Sequence, residues 1–306
     1  MRIFVTGVNG QLGHDVVNEL SARGHEVIGS GSVPQYNGIA DGSAAARARY
    51  AALDLANASA AVDILDIIRP DVIIHCASWT AVDLAEEPAN RDRVFAINAE
   101  GTRNLATAAK KLGAKMIYIS TDYVFDGSGD EPRLADDTDF GPLNVYGRSK
   151  LEGETAVREL LEKYFIVRTS WAFGLNGNNF IRSMIRAAGS GNEIRVVNDQ
   201  IGTPTYTRDL ARLLADMAES DRYGAYHATN EGGYISWYEF ASEIFRICGT
   251  DAKVIPVTTE EYGLSKAKRP LNSRLDRSKL VKEGFEPLPD WRDAIRRYLK
   301  EAGYID

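Results

Sequence analysis

The chain predicts an α/β fold in which a doubly wound parallel sheet carries a smaller, interleaved C-terminal lobe. Three observations predict it. Short apolar stretches alternate with stretches of helical period from Arg2 to Arg168, a glycine turn joins the first of each, and beyond Thr169 the alternation loosens into polar loops. At 306 residues, one large or two modest domains are expected. The sheet domain is assigned to residues 1–170, rejoined by about 196–230, and the lobe to 171–195 and 231–306. No repeat or low-complexity linker interrupts this order.

Taken in order, Arg2–Thr6 (RIFVT) is a strand-type run, followed by Gly7, Gly10 and Gly13 and then an apolar-periodic helix from Leu12 to Leu20. Strand, glycine turn and helix are the context of a Rossmann-like dinucleotide-binding turn, here spaced GxxGxxG. Gly7 permits the tight turn, Gly10 lets the backbone approach a pyrophosphate, and Gly13 lets helix and strand pack closely. His25–Gly29 reads as the second strand. A ribose-binding acid is expected about 20 residues beyond the loop; Ser30, Gly31 and Ser32 stand there instead. With no carboxylate to repel a 2′-phosphate, NADPH is the expected cofactor, with NADH left open. Arg47 and Arg49 either supply charge for that phosphate or form a solvated loop face. Residues 30–50, rich in Gly, Ser and Ala, read as a mobile excursion. Asp54 and Leu55 then end a short apolar strip, a suitable place for an acid near an adenine.

A helix from Ser59 to Ile68 stops before Pro70, and Val72–Cys76 (VIIHC) is a buried strand. The small Cys76, Ala77 and Ser78 at its end let a cofactor lie against the backbone. His75 reads as a satisfied core histidine rather than a catalyst. Glu86–Lys111 has a long helical pattern with Asp83 and Pro88 as start signals. Its interior Asn98 is costly to bury unless it holds a backbone group or water, which predicts a local distortion. Lys115–Ser120 is the fourth strand. The Thr121 hydroxyl at its tip either reaches a substrate carbonyl or caps a turn.

Tyr146 and Lys150 follow, four residues apart on one face of a helix. A phenol near its ordinary pKa of ~10 is a poor acid or base at neutral pH, but an ammonium nearby favours the phenolate. The pair then becomes a general acid/base. Tyr164–Arg168 is the fifth strand. A helix over Tyr206–Glu219, a strand near Tyr226–Thr229 and helices at Trp237–Cys248 and Asp290–Glu301 complete the chain. Lys266, Lys268 and Arg269 form the one clear basic cluster of the C-terminal part, suited to a substrate diphosphate or simply surface charge.

The net charge of −7 argues against a general nucleic-acid or anionic-membrane surface. No apolar run approaches the ~20 residues needed to span a bilayer. The first residues run straight into a strand, leaving no room for a signal peptide. The two cysteines, Cys76 and Cys248, lie far apart, and the four histidines show no ligand spacing. No metal cluster is expected, and a reducing, cytoplasmic location is.

GxxGxxG at Gly7, the hydroxyl of Thr121 and YxxxK at Tyr146 and Lys150 together resemble the extended short-chain dehydrogenase/reductase family. Within it, Ser120–Gly127 (STDYVFDG), Asn144–Lys150 (NVYGRSK), Arg168–Trp171 (RTSW), Gly177–Phe180 (GNNF), Asn198–Pro204 (NDQIGTP) and Lys268–Pro270 resemble the dTDP-4-dehydrorhamnose reductase family, in order and over nearly the whole chain. The resemblance implies reduction of the C4 keto group of dTDP-4-dehydro-6-deoxy-L-mannose to dTDP-L-rhamnose by NADPH or NADH. It implies that Tyr146 donates a proton to the forming alkoxide and Thr121 hydrogen-bonds the same oxygen. Lys150 would lower the tyrosine pKa and bind the nicotinamide ribose, Asp122 would tune the site and bind the substrate, and Trp171 would contact the sugar. Gly10, Gln11 and Leu12 would line the pyrophosphate, Asp54 and Leu55 the adenine, and Ala77, Ser78 and Trp79 the ribose and nicotinamide side.

Some members of that family hold Mg²⁺ with acidic residues at a dimer interface. Asp15 and Glu301 match two of these, but Arg208 stands where a third acid belongs and would repel the ion. Mg²⁺ is therefore doubtful, and a monomer or weak homodimer is expected. The alternatives are a nucleotide-sugar epimerase or dehydratase, which recycles its cofactor, or a non-catalytic homologue. The last usually goes with a degraded tyrosine–lysine pair, and the pair is intact here.

Overall fold

The apolar runs become strands of one sheet. In the computed structural model, which describes residues 1–189, 191 and 193–306, these are β1 (Arg2–Thr6), β2 (Glu26–Gly31), β3 (Arg49–Ala52), β4 (Val72–His75), β5 (Lys115–Thr121), β6 (Tyr164–Thr169) and β7 (Gly224–His227). They pair in the order β3-β2-β1-β4-β5-β6-β7, and every pairing is parallel. A parallel sheet is covered on both faces, which is why its central strands are continuous apolar runs. All of β4 is buried.

Side chains alternate across the sheet, and β1 shows it. Ile3 and Val5 face the core made with Val16 and Leu20 of the Gln11–Ala22 helix and Leu210 and Leu214 of the Thr207–Ala218 helix. Phe4 faces the other, made with Leu65, Leu105 and Val157 of three further helices. Strand order reverses between β1 and β4. Ligands bind outside the C-terminal ends of the strands at such a switch point.

Beyond β6 the chain builds a second core around Phe173, Tyr206, Phe240, Trp291 and Tyr298. Ile194–Val197 pairs there with Val254–Val257, and Ile201–Gly202 with Ile235–Ser236. The return to the sheet layer is made by the Thr207–Ala218 helix and β7.

Two expectations change in detail. Residues 30–50 are not a loose excursion, because they contain the short helix Ala44–Arg47 and lead into β3. They are also tied down over the glycine turn: Asn37 N donates to Asn9 Oδ1 at 3.1 Å and Ile39 N to Asn176 Oδ1 at 3.0 Å. The long helix is three pieces, Pro88–Phe95, a π-helical turn Ala96–Glu100, and Gly101–Leu112. Asn98 sits in the π turn, where such distortions often mark functional sites. Its Oδ1 accepts from Trp79 N at 2.7 Å and Ser78 Oγ at 3.0 Å, and its Nδ2 donates to Ser149 Oγ at 2.9 Å.

Candidate active site

The glycine turn closes against the end of β4. Gly7 has φ +73°, and a Cβ there would lie 2.6 Å from Ala77 N. Only glycine allows that approach. Gly13 packs on the Gly7 carbonyl, so helix and turn touch backbone to backbone. Gly10 caps the helix without a side-chain bond, leaving first-turn N–H groups aimed at the cleft, an arrangement suited to a phosphate. Gln11 turns toward the lobe: its Oε1 accepts from Gly174 N at 2.7 Å and Asn179 Nδ2 at 3.1 Å. Asn176 Nδ2 donates to Gly10 O at 3.2 Å. Leu12 packs on the core.

On the adenosine side, Ser30 is buried near the tip of β2 and Asp54 is exposed. Leu55 points inward and packs against Gly101, and its carbonyl accepts from Asn104 Nδ2 at 3.0 Å. Arg49 pairs with Glu26 (3.6 Å) at the start of β2, the wrong edge of the sheet for a cofactor phosphate; Arg47 is exposed.

Thr121 ends β5, and Tyr146 and Lys150 lie on the Val145–Leu160 helix. Asn144 caps that helix by accepting from Gly147 N at 2.8 Å, while its Nδ2 holds Lys268 O at 2.9 Å. Val145 N donates to Glu86 Oε1 at 2.6 Å. Gly147 packs directly on the Tyr123 carbonyl, so the helix start is pressed against the turn after β5. Tyr146 thereby comes close to Thr121, its ring edge-on to that of Tyr123 at 5.9 Å between centres.

The electrostatics differ from expectation. Burial and the Asp122 carboxyl push the Tyr146 phenol well above its ordinary value, against a pull the other way from Thr121. Lys150 does not set it. Its own ammonium, 2% exposed, lies 4.0 Å from the Tyr118 ring centre and has no hydrogen-bond partner among the described residues. Burial pushes it down to about 7, with Glu154 and Cys76 opposing. A buried cation without a partner, beside a glycine cradle and an uncapped helix start, fits a dinucleotide whose ribose hydroxyls complete it.

His75 is bonded on both sides, Nδ1 to Thr6 Oγ1 at 2.8 Å and Nε2 to Thr102 Oγ1 at 3.1 Å, and burial, helped by Lys150, holds it down to about 3. Burial pushes the Cys76 thiol up to about 12, which leaves it a poor nucleophile.

Trp171 follows β6 with φ +50°, strained for a bulky residue. Its indole stacks on Trp237 at 3.8 Å and 18°. Arg269 is forked onto Asp83 at 2.7 and 3.1 Å, and Lys266 pairs with Glu87 at 2.8 Å. The basic cluster thus bridges to the acidic rim of the sheet domain. Asp15 is held by Thr207 Oγ1 at 2.5 Å and His14 Nδ1 at 3.2 Å, and Glu301 by Arg208 at 2.8 Å and the Tyr206 hydroxyl at 2.5 Å. No group of three or more His, Cys, Asp or Glu among the described residues is placed to hold a metal. Among the same residues, no helix is long and apolar enough to cross a membrane.

A dinucleotide fold that brings a phenol, a buried ammonium and a strand-tip hydroxyl to its switch point is the architecture of the extended short-chain dehydrogenases/reductases, and the chain conforms to that class. More narrowly, it belongs to the RmlD substrate binding domain family, whose model matches residues 1–303. It is 41% identical to a dTDP-4-dehydrorhamnose reductase of Streptomyces griseus, covering 96% of this chain and 91% of that one. The crystal structure of such a reductase from Clostridium acetobutylicum superposes with TM-score 0.89 at 40% identity, covering 99% of this chain and 100% of that one. One from Bacillus anthracis, in complex with NADP, superposes with TM-score 0.86 at 40% identity over 98% and 99%.

Proposed function

We propose that this chain reduces the C4 keto group of dTDP-4-dehydro-6-deoxy-L-mannose to give dTDP-L-rhamnose, with NADPH or NADH as reductant. The full-length likeness to reductases of that name supports the reading, as does the NADP complex of the Bacillus anthracis relative. One observation carries it: a half-buried Tyr146 phenol, its pKa pushed up so that it keeps its proton, brought beside Thr121 at the tip of β5.

A bound reduced nicotinamide supplies the hydride. Tyr146, kept neutral by burial, donates its proton to the oxygen on which charge develops. Thr121 donates a hydrogen bond to that oxygen, favouring the transition state over the ground-state carbonyl. Lys150 binds the nicotinamide ribose. Gly7, Gly10 and Gly13 shape the turn, and with Gln11 and Leu12 the helix start holds the pyrophosphate. Ala77, Ser78 and Trp79 line the nicotinamide side; Ser30, Asp54 and the Leu55 backbone line the adenosine side. Residues 171–195 and 231–306 provide the sugar-nucleotide lobe, with Trp171 against the sugar and Arg269 toward the diphosphate.

The test is absorbance of the reduced cofactor when the dTDP-keto-sugar is offered with NADPH or NADH. Wild type should oxidise one cofactor per alcohol formed, and Tyr146→Phe should be slower by about 10²–10⁴ while still binding NADPH. An undiminished rate in that variant would remove Tyr146 from the role. Conversion of the sugar without net cofactor oxidation would point to an epimerase or dehydratase.

A further inference from the structure

Thr121 has one hydrogen and more than one claim on it. Its Oγ1 lies 2.8 Å from Asp122 Oδ1, accepts from Tyr123 N at 3.1 Å, and stands beside the Tyr146 phenol. A hydroxyl is one donor with two lone pairs. If Asp122 is ionised, the Thr121 hydrogen must point at Oδ1, and the oxygen then invites the Tyr146 hydrogen inward. Both hydrogens the reaction needs are turned away from the substrate. If Asp122 carries a proton, the same 2.8 Å contact runs in reverse. Thr121 then accepts from Asp122 and from Tyr123 N, both lone pairs are filled, and its hydrogen and that of Tyr146 are free to face the reacting oxygen.

The surroundings of Asp122 favour the protonated form. It is 3% exposed, and its Oδ2 is buried with no hydrogen-bond partner. No lysine or arginine pairs with it among the described residues. The groups facing it are Thr121 and Tyr123 from its own turn, Tyr146 from the Val145–Leu160 helix, and Ser273 from the segment after Pro270. Arg269 and Asp83 stand beyond Tyr123, paired with one another. A carboxylate so enclosed is costly to keep charged; burial pushes the carboxyl up to about 6, against Ser273 and Thr121.

We propose that Asp122 is a positioning residue that works as a neutral acid, donating to Thr121 and so directing the Thr121 and Tyr146 hydrogens at the substrate oxygen. The proposal rests on the reductase reading above. Asp122 acts through Thr121 and gives no proton to the substrate; Tyr146, left as the phenolate, regains its proton from solvent before the next turnover. The hydride and the Tyr146 proton alone balance the reduction.

The sign of the pH effect follows. The active form holds the proton, so kcat/KM should be level at low pH and fall about tenfold per pH unit above the ionisation of Asp122. The charged carboxylate also holds the Tyr146 proton more tightly, which lowers activity in the same direction.

Asp122→Asn mimics the neutral acid, because an amide N–H can donate to Thr121 permanently. Its pH profile should lose the fall, so that it exceeds wild type on the alkaline side. Difference infrared spectra should show a titrating carboxylic-acid C=O band in wild type that the variant lacks. Thr121→Val, about 10²–10³-fold slower for want of an oxyanion donor, should lose most of the same fall, keeping only the shallower part that comes from the carboxylate charge on Tyr146. That second profile decides the matter if Asp122→Asn does not fold. An alkaline fall retained in Asp122→Asn, one of undiminished depth in Thr121→Val, or no protonated carboxyl in wild type overturns the proposal. Wild type that oxidises no cofactor brings down the reductase reading and the proposal with it; failure confined to the variants leaves that reading standing.

Discussion

Lys150 and Glu154 lie one turn apart on the same helix, and neither is more than 2% exposed. Glu154 is fully engaged. Its two oxygens accept from Arg168 Nε at 2.8 Å and Nη2 at 2.7 Å, and Arg168 goes on to the Ala135 carbonyl at 3.2 Å between the Phe125 and Phe140 rings. The Lys150 ammonium has an aromatic face and, among the described residues, no hydrogen-bond partner. Bidentate, charge-assisted pairing holds the Glu154 carboxyl below its ordinary range despite burial. The ammonium of Lys150, for which Glu154 and Cys76 offset the loss of water only in part, falls to about 7. Where a buried charge serves the fold, its partners are built in; where it serves a ligand, a place is left for the partner.

Removing the built-in partner should have the largest effect. Arg168→Met leaves Glu154 buried with only the weaker contact to Arg158 at 3.3 Å, which should destabilise the protein by about 3–5 kcal/mol in urea unfolding. Arg168→Met with Glu154→Leu should recover much of that loss, because the stranded charge is gone. A loss under about 1 kcal/mol for the single change would mean that water reaches Glu154 and that the two charges differ less than their burial says.

Lys150→Met should act in the opposite sense. With no cofactor added it should stabilise the protein by about 2 kcal/mol at neutral pH, while weakening NADPH binding. The pH dependence gives a sharper test. The unfolded lysine keeps its proton up to 10.5 and the folded one only to about 7. Between those values the unfolded state binds more protons, so wild-type stability rises with pH across that window. The advantage of the methionine variant should be constant below about pH 7 and shrink toward nothing near 10.5. Urea midpoints that track each other across the window would show that the ammonium is solvated after all.

The half of this contrast that lies along the chain was legible beforehand. Strand period, glycine spacing and the four-residue step from Tyr146 to Lys150 are local, and they placed β1, the cofactor turn and the reactive face of the helix. Asn98 announced its distortion because a buried amide inside a helix needs a reason. What could not be read was whatever depends on a partner far along the sequence. Asn176 closes on Gly10 across 166 residues and Arg269 forks onto Asp83 across 186. The phenol shows how this misleads. Spacing put an ammonium near Tyr146 and so predicted a lowered pKa, but burial and Asp122 outweigh that proximity and raise it. Arg49 likewise has the right charge for a cofactor phosphate, yet it pairs with Glu26.

Arg269 gives the smallest expected effect and the finest test of the same distinction. It has a carboxylate partner like Arg168, but the Asp83 side chain is 41% exposed, and an ion pair so open to water contributes about 0–1 kcal/mol. Asp83→Asn and Arg269→Ala should each change unfolding free energy by less than about 1 kcal/mol. They should differ in kinetics. Losing a charge-assisted hydrogen bond to the diphosphate is worth about 1.5–3 kcal/mol, so Arg269→Ala should raise KM for the sugar nucleotide by about 10–10²-fold, with kcat little changed. Asp83→Asn leaves the guanidinium in place and should not. If instead Arg269→Ala loses several kcal/mol of stability while KM stays put, Arg269 belongs with Arg168 as part of the fold, and the diphosphate must be held by other donors of the lobe.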